Sequence, residues 1–83
     1  MYYVYVLKSL TDGKLYIGYT TNLRNRFREH QDGGVISTKS RRPFELIFYE
    51  SYKGMGDAKR REKYFKTSKG KSSLRMMLQD SLK

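Results

Sequence analysis

Residues 16–30 read YIGYTTNLRNRFREH, and this stretch decides the fold because a strand passes into a helix within it. The first residues are apolar, Gly18 breaks the strand, and the helix runs to about Gln31 before Gly33-Gly34 ends it. At about 100° per residue, one side of that helix carries Leu23, Arg26, Phe27 and His30. A solvated arginine belongs on the polar face, so an arginine between apolar neighbours indicates a buried partner or a functional site.

The composition predicts one small domain, residues 1–83, in a reducing compartment. The chain has no cysteine, which excludes a disulfide framework and a thiolate metal site. The N-terminal MYYVYVLKSL is apolar but too short and too rich in tyrosine for a signal peptide, and no stretch approaches the length of a membrane span. We therefore expect a cytoplasmic protein with no membrane partner.

The charge balance indicates a polyanionic partner. The 18 Lys and Arg residues against 8 Asp and Glu give a formal charge of +10, which is a strong positive field for so small a body. A nucleic acid is the favoured partner, and composition alone fits DNA and RNA equally. The alternatives are a ribosome-associated protein and a merely basic one. A membrane-surface role is disfavoured because no segment joins a wide apolar face to a lysine-rich one.

The first part of the chain predicts a β-hairpin that carries two tyrosines on one face. Residues 2–7 are apolar or aromatic on both faces, which is typical of an interior strand. Asp12-Gly13 is a strong turn signal, and residues 15–19 form the return strand. Two registers fit this turn, with paired positions summing to 25 or to 21. Both place Tyr5 and Tyr16 on the same face, whereas a slip of one residue would separate them.

The remaining elements follow from turn and cap signals. Polar, basic and glycine-containing residues predict a mobile loop over residues 33–43. After it the sequence predicts a strand over Phe44–Tyr52, a helix capped by Asp57 and running to about Thr67, and a last helix beginning at Ser72 or Ser73. These elements predict the α/β class in its α+β form: a small, mainly antiparallel three-stranded sheet flanked by helices.

The second helix raises the same question as the first. On a helical wheel, Glu62 shares a face with Ala58 and Phe65. A carboxylate is rarely buried without a partner, so an acid on the inward stripe implies a cation, a metal ion or a partly open cleft.

The residues assembled so far resemble the GIY-YIG nuclease family. Tyr3-Val4-Tyr5 is similar to the first half of the name motif, and Tyr16-Ile17-Gly18 is the second half unaltered. Arg26 and His30 stand at the family's spacing after the second half, and Glu62 resembles the family's acidic metal ligand on a later helix. The resemblance covers nearly the whole chain and is to the small stand-alone bacterial members, which implies the GIY-YIG endonuclease fold.

The chain departs from the family pattern at two places. Tyr3 stands where the family usually has the glycine of the first motif half, and a larger side chain there would narrow the cleft near the phosphate. Some relatives place a second histidine in the segment 35–42, where this chain offers Ser37 and Thr38.

The resemblance implies metal-dependent hydrolysis of phosphodiester bonds in DNA, with Mg²⁺ or Mn²⁺ held by Glu62. One carboxylate is enough for a hard cation that keeps several waters, and the guanidinium of Arg26 has the fork geometry that suits phosphate. The resemblance also implies a tyrosine as general base, either Tyr5 or Tyr16. His30 would hydrogen-bond a tyrosine hydroxyl or relay its proton.

The surface cations are expected to bind phosphates and to supply affinity rather than sequence choice. The predicted nucleic-acid-binding residues are Arg24, Lys39, Arg41, Arg42, Lys59, Lys63, Lys66 and Lys69. With no second domain to read sequence, we expect a structure-selective or weakly sequence-selective nuclease of DNA repair or recombination, with DNA favoured over RNA and a protein partner for targeting. The alternative is a non-catalytic nucleic-acid-binding module on the same scaffold.

Overall fold

The computed structural model describes residues 1–83 and contains one sheet of three antiparallel strands. The strands are β1 (Tyr2–Ser9), β2 (Leu15–Thr20) and β3 (Phe44–Tyr52), and their order in the sheet is β2-β1-β3. β1 is therefore the central strand, as its two apolar faces predicted, and the predicted fold class is confirmed.

Three α-helices surround the sheet: α1 (Leu23–Asp32), α2 (Met55–Phe65) and α3 (Ser68–Met77). None of them has the length and apolar character needed to cross a bilayer.

Two predicted helix starts were wrong, and in both cases the cap lies earlier in the chain. Gly54 precedes the first turn of α2, and Asp57 lies inside that turn rather than capping it. Thr67 caps α3 because its hydroxyl accepts the backbone N–H of Gly70 at 3.0 Å. The predicted start at Ser72 or Ser73 fell within α3 because those serines stand just before its apolar stripe.

The hairpin register differs from both predicted registers. Tyr5 lies opposite Gly18 and Leu7 opposite Tyr16, so paired positions sum to 23. The reason is Ser9, whose hydroxyl accepts the backbone N–H groups of Thr11 and Asp12, both at 3.2 Å, and so widens the turn. The parity of the register was predicted correctly, and both tyrosines therefore lie on one face of the sheet.

The sheet is covered on both faces by separate apolar clusters. On one face, α2 and α3 pack against the sheet through a core of Val4, Val6, Ile17, Ala58, Phe65, Leu74 and Leu78. On the other face, α1 contributes Leu23 and Phe27 to a smaller cluster around Tyr5, Leu7 and Phe44. Burial of one large apolar side chain contributes about 1.5–3 kcal/mol, so these clusters supply the main stabilisation of a chain without disulfides.

Residues 33–43 were predicted to be a mobile loop, and this prediction was wrong. Gly33 adopts a left-handed φ of 82° as the C-cap of α1, and residues Ile36–Arg41 then form a 3₁₀ helix. The side-chain amide of Gln31 clamps the end of the segment, because it donates to the carbonyl oxygen of Phe44 and accepts its N–H, both at 2.8 Å. Polar contacts order this segment, and a polar composition alone does not reveal them.

Candidate active site

A buried chain of three polar side chains forms the centre of the site. The hydroxyl of Tyr5 lies 2.9 Å from Nε2 of His30, and Nδ1 of His30 lies 2.9 Å from Oγ1 of Thr38. The exposed fraction is at most 1% for each of these residues. Three elements contribute one residue each: β1, α1 and the 3₁₀ helix.

The hydrogen-bond partners fix the direction of this chain. Thr38 has one hydroxyl hydrogen, which it donates to the carbonyl oxygen of Val35 at 3.3 Å. Nδ1 of His30 must then donate to Thr38, which leaves Nε2 as an acceptor for the hydroxyl hydrogen of Tyr5. We assign the imidazole to the Nδ1–H tautomer on this network.

Aromatic rings hold the imidazole of His30 in place. The ring centroid of Tyr16 lies 5.0 Å from that of His30, and the centroid of Phe44 lies 5.8 Å from it, both edge-to-face. Burial lowers the pKa of His30, and the positive charge of Arg26 lowers it further. His30 is therefore neutral at pH 7 and able to accept a proton.

Gly18 makes room for the Tyr5 side chain. A Cβ at position 18 would lie 2.3 Å from the Tyr5 hydroxyl oxygen, which is far inside van der Waals contact. Since Tyr5 and Gly18 are direct partners in the β1–β2 ladder, the phenol lies across the glycine. This close packing gives a physical reason for glycine as the last residue of Tyr16-Ile17-Gly18.

Arg26 lies beside the phenol, with about a third of its side chain exposed, and pairs with Glu29 at 3.2 Å. Burial raises the pKa of Tyr5 to about 12, and the Arg26 guanidinium opposes this rise. The charges of Tyr16 and Glu62 add to the rise in the pKa of Tyr5, which shows that both groups lie within electrostatic range of the hydroxyl.

Glu62 projects from α2 with 23% of its side chain exposed, and it pairs with Lys66 at 3.1 Å. Arg26 and Glu62 each have an ionic partner on their own helix and are not paired with each other. Exposed pairs at this helical spacing contribute little, so the carboxylate can exchange Lys66 for a cation at small cost.

The donor set of the site fits one mode of metal binding. No group of three or more His, Asp or Glu side chains is arranged to hold a metal ion, so the chain offers no all-protein cage. Mg²⁺ commonly binds through one or two carboxylates, with waters and substrate phosphates as the other ligands. The partly exposed carboxylate of Glu62, near Tyr5, suits that mode.

The predicted phosphate-binding cations divide into two groups. Arg41 pairs with Asp12 at 3.0 Å, and Arg42 donates to the carbonyl oxygen of Lys39 at 2.9 Å, so both arginines hold the segment 33–43 in place. Lys66 pairs with Glu62. The remaining predicted residues are exposed and have no acidic partner: Arg24, Lys39, Lys59, Lys63 and Lys69.

The structure brings Tyr5, Tyr16 and His30 into contact. Arg26 lies beside the phenol of Tyr5, and Glu62 lies within electrostatic range of it. The structure also adds two residues that the sequence did not assign. The first is Thr38, which hydrogen-bonds His30. The only sequence signal for Thr38 was its position in the segment where some relatives have a second histidine, and Ser37 shared that signal. Phe44 carried no signal, since its contact with His30 depends on the fold of the preceding segment.

Comparisons with known proteins show the family of this chain. A family model described as the GIY-YIG catalytic domain matches residues 1–75. A UPF0213 protein of Pediococcus pentosaceus is 39% identical over 82 residues, which is 98% of this chain and 85% of the relative. The UPF0213 protein SH2523 of Staphylococcus haemolyticus is 40% identical over 77 residues, covering 92% of this chain and 93% of the relative.

The fold is also similar to a solved structure. The solution NMR structure of the UPF0213 protein BH0048 from Bacillus halodurans superposes with a TM-score of 0.59 at 33% identity. The match covers 93% of this chain and 85% of the NMR chain.

Proposed function

Because this chain belongs to the GIY-YIG family, we propose that it is a metal-dependent endonuclease that hydrolyses phosphodiester bonds in DNA. The observation that carries the proposal is the buried hydrogen-bond chain from Tyr5 through His30 to Thr38, with Arg26 beside it. Three apolar side chains would fill the same space without the desolvation cost of buried polar groups. A fully satisfied polar chain in so small a core therefore indicates a function.

The directed hydrogen bonds support a proton relay. The attacking water gives a proton to the hydroxyl oxygen of Tyr5, and Tyr5 passes its own hydroxyl proton to Nε2 of His30. His30 becomes an imidazolium that still donates its Nδ1–H to Thr38. A free phenolate is never formed, which matters because the pKa of Tyr5 is about 12. His30 is then the terminal base. Tyr5 is 1% exposed with Arg26 beside its hydroxyl, so the water reaches Tyr5 once the Arg26 guanidinium moves onto the phosphate.

The hydroxide formed in this way attacks phosphorus, and the bond from phosphorus to the leaving oxygen breaks. Arg26 would bind the phosphoryl oxygens and stabilise their developing charge. Glu62 would hold the divalent cation, which when bound supplies further charge relief and stabilises the leaving oxygen. Tyr16 packs on His30 and would keep the imidazole oriented towards the hydroxyl of Tyr5. This division of roles favours Tyr5 over Tyr16 as the proton-transferring phenol.

The substrate is proposed to be bound mainly through its phosphates. The five exposed cations without acidic partners, together with a formal charge of +10, support binding that weakens steeply with salt. Such contacts do not read sequence, so we propose a structure-selective or weakly selective nuclease acting on cytoplasmic DNA in repair or recombination. A protein partner would then supply the targeting.

A cleavage assay tests the proposal. The purified protein is incubated with single-stranded, duplex, flapped and branched DNA, and with RNA of matched sequence, in Mg²⁺, Mn²⁺ or EDTA. The assay is repeated with Glu62→Ala and Arg26→Ala. The control on α2 is Met55→Ala, which changes an exposed side chain outside the proposed binding residues. DNA binding is measured in parallel by fluorescence anisotropy in EDTA.

The expected result is metal-dependent nicking of DNA that is lost in Glu62→Ala and Arg26→Ala while binding persists. Binding without cleavage under every metal condition would overturn the proposal and leave a non-catalytic nucleic-acid-binding module. Preferential retention of RNA, unaffected by Glu62→Ala, would instead indicate a structural RNA-binding or ribosome-binding protein.

A further inference from the structure

A cleft of about 510 Å³ opens beside the polar chain, on the same face of the sheet. Its walls come from β1, β3 and the first turns of α1, and its apolar lining includes Tyr3, Phe27 and Tyr49. Tyr3 is the residue that stands in place of the motif glycine, and the relay described above makes no use of it. The cleft is therefore a feature of this chain that the proposed chemistry leaves unexplained.

Two tyrosines form an aromatic corner in the cleft. The ring centroids of Tyr3 and Tyr49 lie 6.1 Å apart with an angle of 61° between the ring planes. Tyr49 is 53% exposed, which is unusual for a large aromatic residue in the middle of a strand. Neither hydroxyl has a hydrogen-bond partner within the protein. An exposed ring inclined at 61° to its neighbour offers an open face for a flat partner.

The rim of the cleft is polar and positively charged. Arg24, Thr21 and Asn22 lie at the start of α1, and no carboxylate lines the cleft. The side-chain oxygen of Asn22 accepts the N–H of Asn25 at 3.1 Å, which leaves its amide N–H₂ group as a free donor. A flat, apolar wall below a cationic rim complements a nucleobase attached to a phosphate backbone.

The cleft lies one step along the sheet from the proposed catalytic group. Tyr3 and Tyr5 are alternate residues of β1, so their side chains share a face and stand about 6.6 Å apart along the strand. On α1, Phe27 of the cleft follows Arg26 of the site directly in sequence. A nucleotide whose base occupied the cleft would therefore neighbour the phosphate placed at Arg26 and Tyr5.

We propose that this cleft binds an unstacked nucleobase of the nucleotide next to the scissile phosphate, with the base stacked on Tyr49 and Tyr3. The proposal rests on the proposed function and names its substrate class: DNA with a single-stranded or distorted segment, in which a base leaves its stack at low cost. Perfect duplex is a poorer substrate because its bases are held in the helix. Tyr3 then supplies an aromatic ring for the base to stack on, whereas the motif glycine would supply no side chain at this position.

A binding experiment without metal tests this proposal separately from catalysis. Affinities are measured in EDTA for a single-stranded DNA of ten thymidines and for a ten-residue strand made of abasic residues, which has the same phosphates. The proteins are the wild type, Tyr49→Ala, Tyr49→Phe and, as a matched control, Met76→Ala, which removes an exposed apolar side chain from α3.

The expected result is that the wild type, Tyr49→Phe and Met76→Ala bind the strand with bases about tenfold or more tightly than the abasic strand, which is the scale of base–aromatic stacking. Tyr49→Ala loses most of that preference but keeps the affinity for the abasic strand. Equal affinity of the wild type for both strands, or an unchanged preference in Tyr49→Ala, would overturn the inference. Base preference without any metal-dependent cleavage would refute the proposed function alone, and cleavage without base preference would refute the cleft alone.

Discussion

The Thr38→Val substitution probes the buried relay at its far end, because it replaces a hydroxyl by a methyl group of nearly the same size. In the native chain, Thr38 accepts the Nδ1–H of His30 at 2.9 Å, and neither residue is exposed by more than 1%. In the variant that N–H has no acceptor, and water has no access to it. The proton of His30 is hydrogen-bonded only if the imidazole changes to the Nε2–H tautomer, in which Nε2 donates to the hydroxyl oxygen of Tyr5.

The structure gives the size of the expected effect. One buried polar group without a partner costs about 1–3 kcal/mol of unfolding free energy. For a domain of this size, each kcal/mol corresponds to a fall in Tm of about 4–8 °C. The relay loses its acceptor because Nε2 becomes a donor, so we expect cleavage to fall about 10–100-fold, as when outer partners of ligating histidines are removed. DNA affinity stays unchanged because Thr38 is buried.

The assay compares wild type, Thr38→Val and Thr38→Ser by single-turnover cleavage, anisotropy in EDTA and thermal unfolding. Thr38→Ser keeps the hydroxyl and should retain most of the cleavage rate, which separates the hydrogen bond from simple packing. Wild-type cleavage by Thr38→Val across neutral pH would refute the reasoning. Equal loss in Thr38→Ser and Thr38→Val would also refute it.

Three further outcomes concern Gly18, His30 and Gly70. Gly18→Ala places a methyl group 2.3 Å from the Tyr5 hydroxyl oxygen, so the phenol must move. We expect the cleavage rate to fall more than tenfold while DNA binding is retained. An unchanged cleavage rate would contradict the close packing of Tyr5 on Gly18. Burial and Arg26 lower the pKa of His30 in the folded chain. As the pH falls, His30 therefore binds a proton in the unfolded chain before it does so in the folded chain. The stabilisation that is present above pH 6.5 is lost as the pH falls through the pKa of His30 in the folded chain. Denaturant titrations should show a decline in unfolding free energy below pH 6.5 that His30→Gln lacks, and parallel profiles would count against a buried neutral imidazole. Gly70→Ala would bring a Cβ within 1.9 Å of the Tyr64 carbonyl oxygen at the junction of α2 and α3. The free energy of unfolding should therefore fall by about 1–3 kcal/mol or more. A variant as stable as wild type would show that this junction is not tightly packed.

The sequence predicted the sheet and the parity of its hairpin because both depend on local patterns. Apolar residues on both faces of residues 2–7 predicted a central strand, and an odd register was enough to place Tyr5 beside Tyr16. The register itself was missed because it depends on the Ser9 hydroxyl, which accepts two backbone N–H groups of the turn. Serine beside a turn has no pattern that distinguishes this role from exposure to solvent.

The site residues and the hydrogen bond between His30 and a tyrosine hydroxyl were predicted, but the continuation of that hydrogen-bonded chain to Thr38 was not. Helical spacing placed Arg26 and His30 on one side of α1, and the structure confirms that both face the sheet tyrosines. The role of Thr38 depends on the 3₁₀ helix, which is stabilised by polar contacts from Ser9 and Asp12 to Arg41. No periodic pattern of apolar residues predicts such a helix. The pairs Arg26–Glu29 and Glu62–Lys66 stand at i,i+3 and i,i+4, so helical spacing alone was enough to predict both.

The central claim is that Tyr5, through His30, takes the proton of the attacking water. The most direct measurement is the single-turnover rate of DNA cleavage in Mg²⁺ by Tyr5→Phe and Tyr16→Phe, with DNA binding measured alongside. Tyr5→Phe keeps the ring over Gly18 and removes only the hydroxyl, so we predict a loss of at least a hundredfold at unchanged affinity, in the range of general-base contributions. Tyr16→Phe keeps its packing on His30 and should lose far less. Wild-type cleavage by Tyr5→Phe, with cleavage abolished in Tyr16→Phe, would contradict the account.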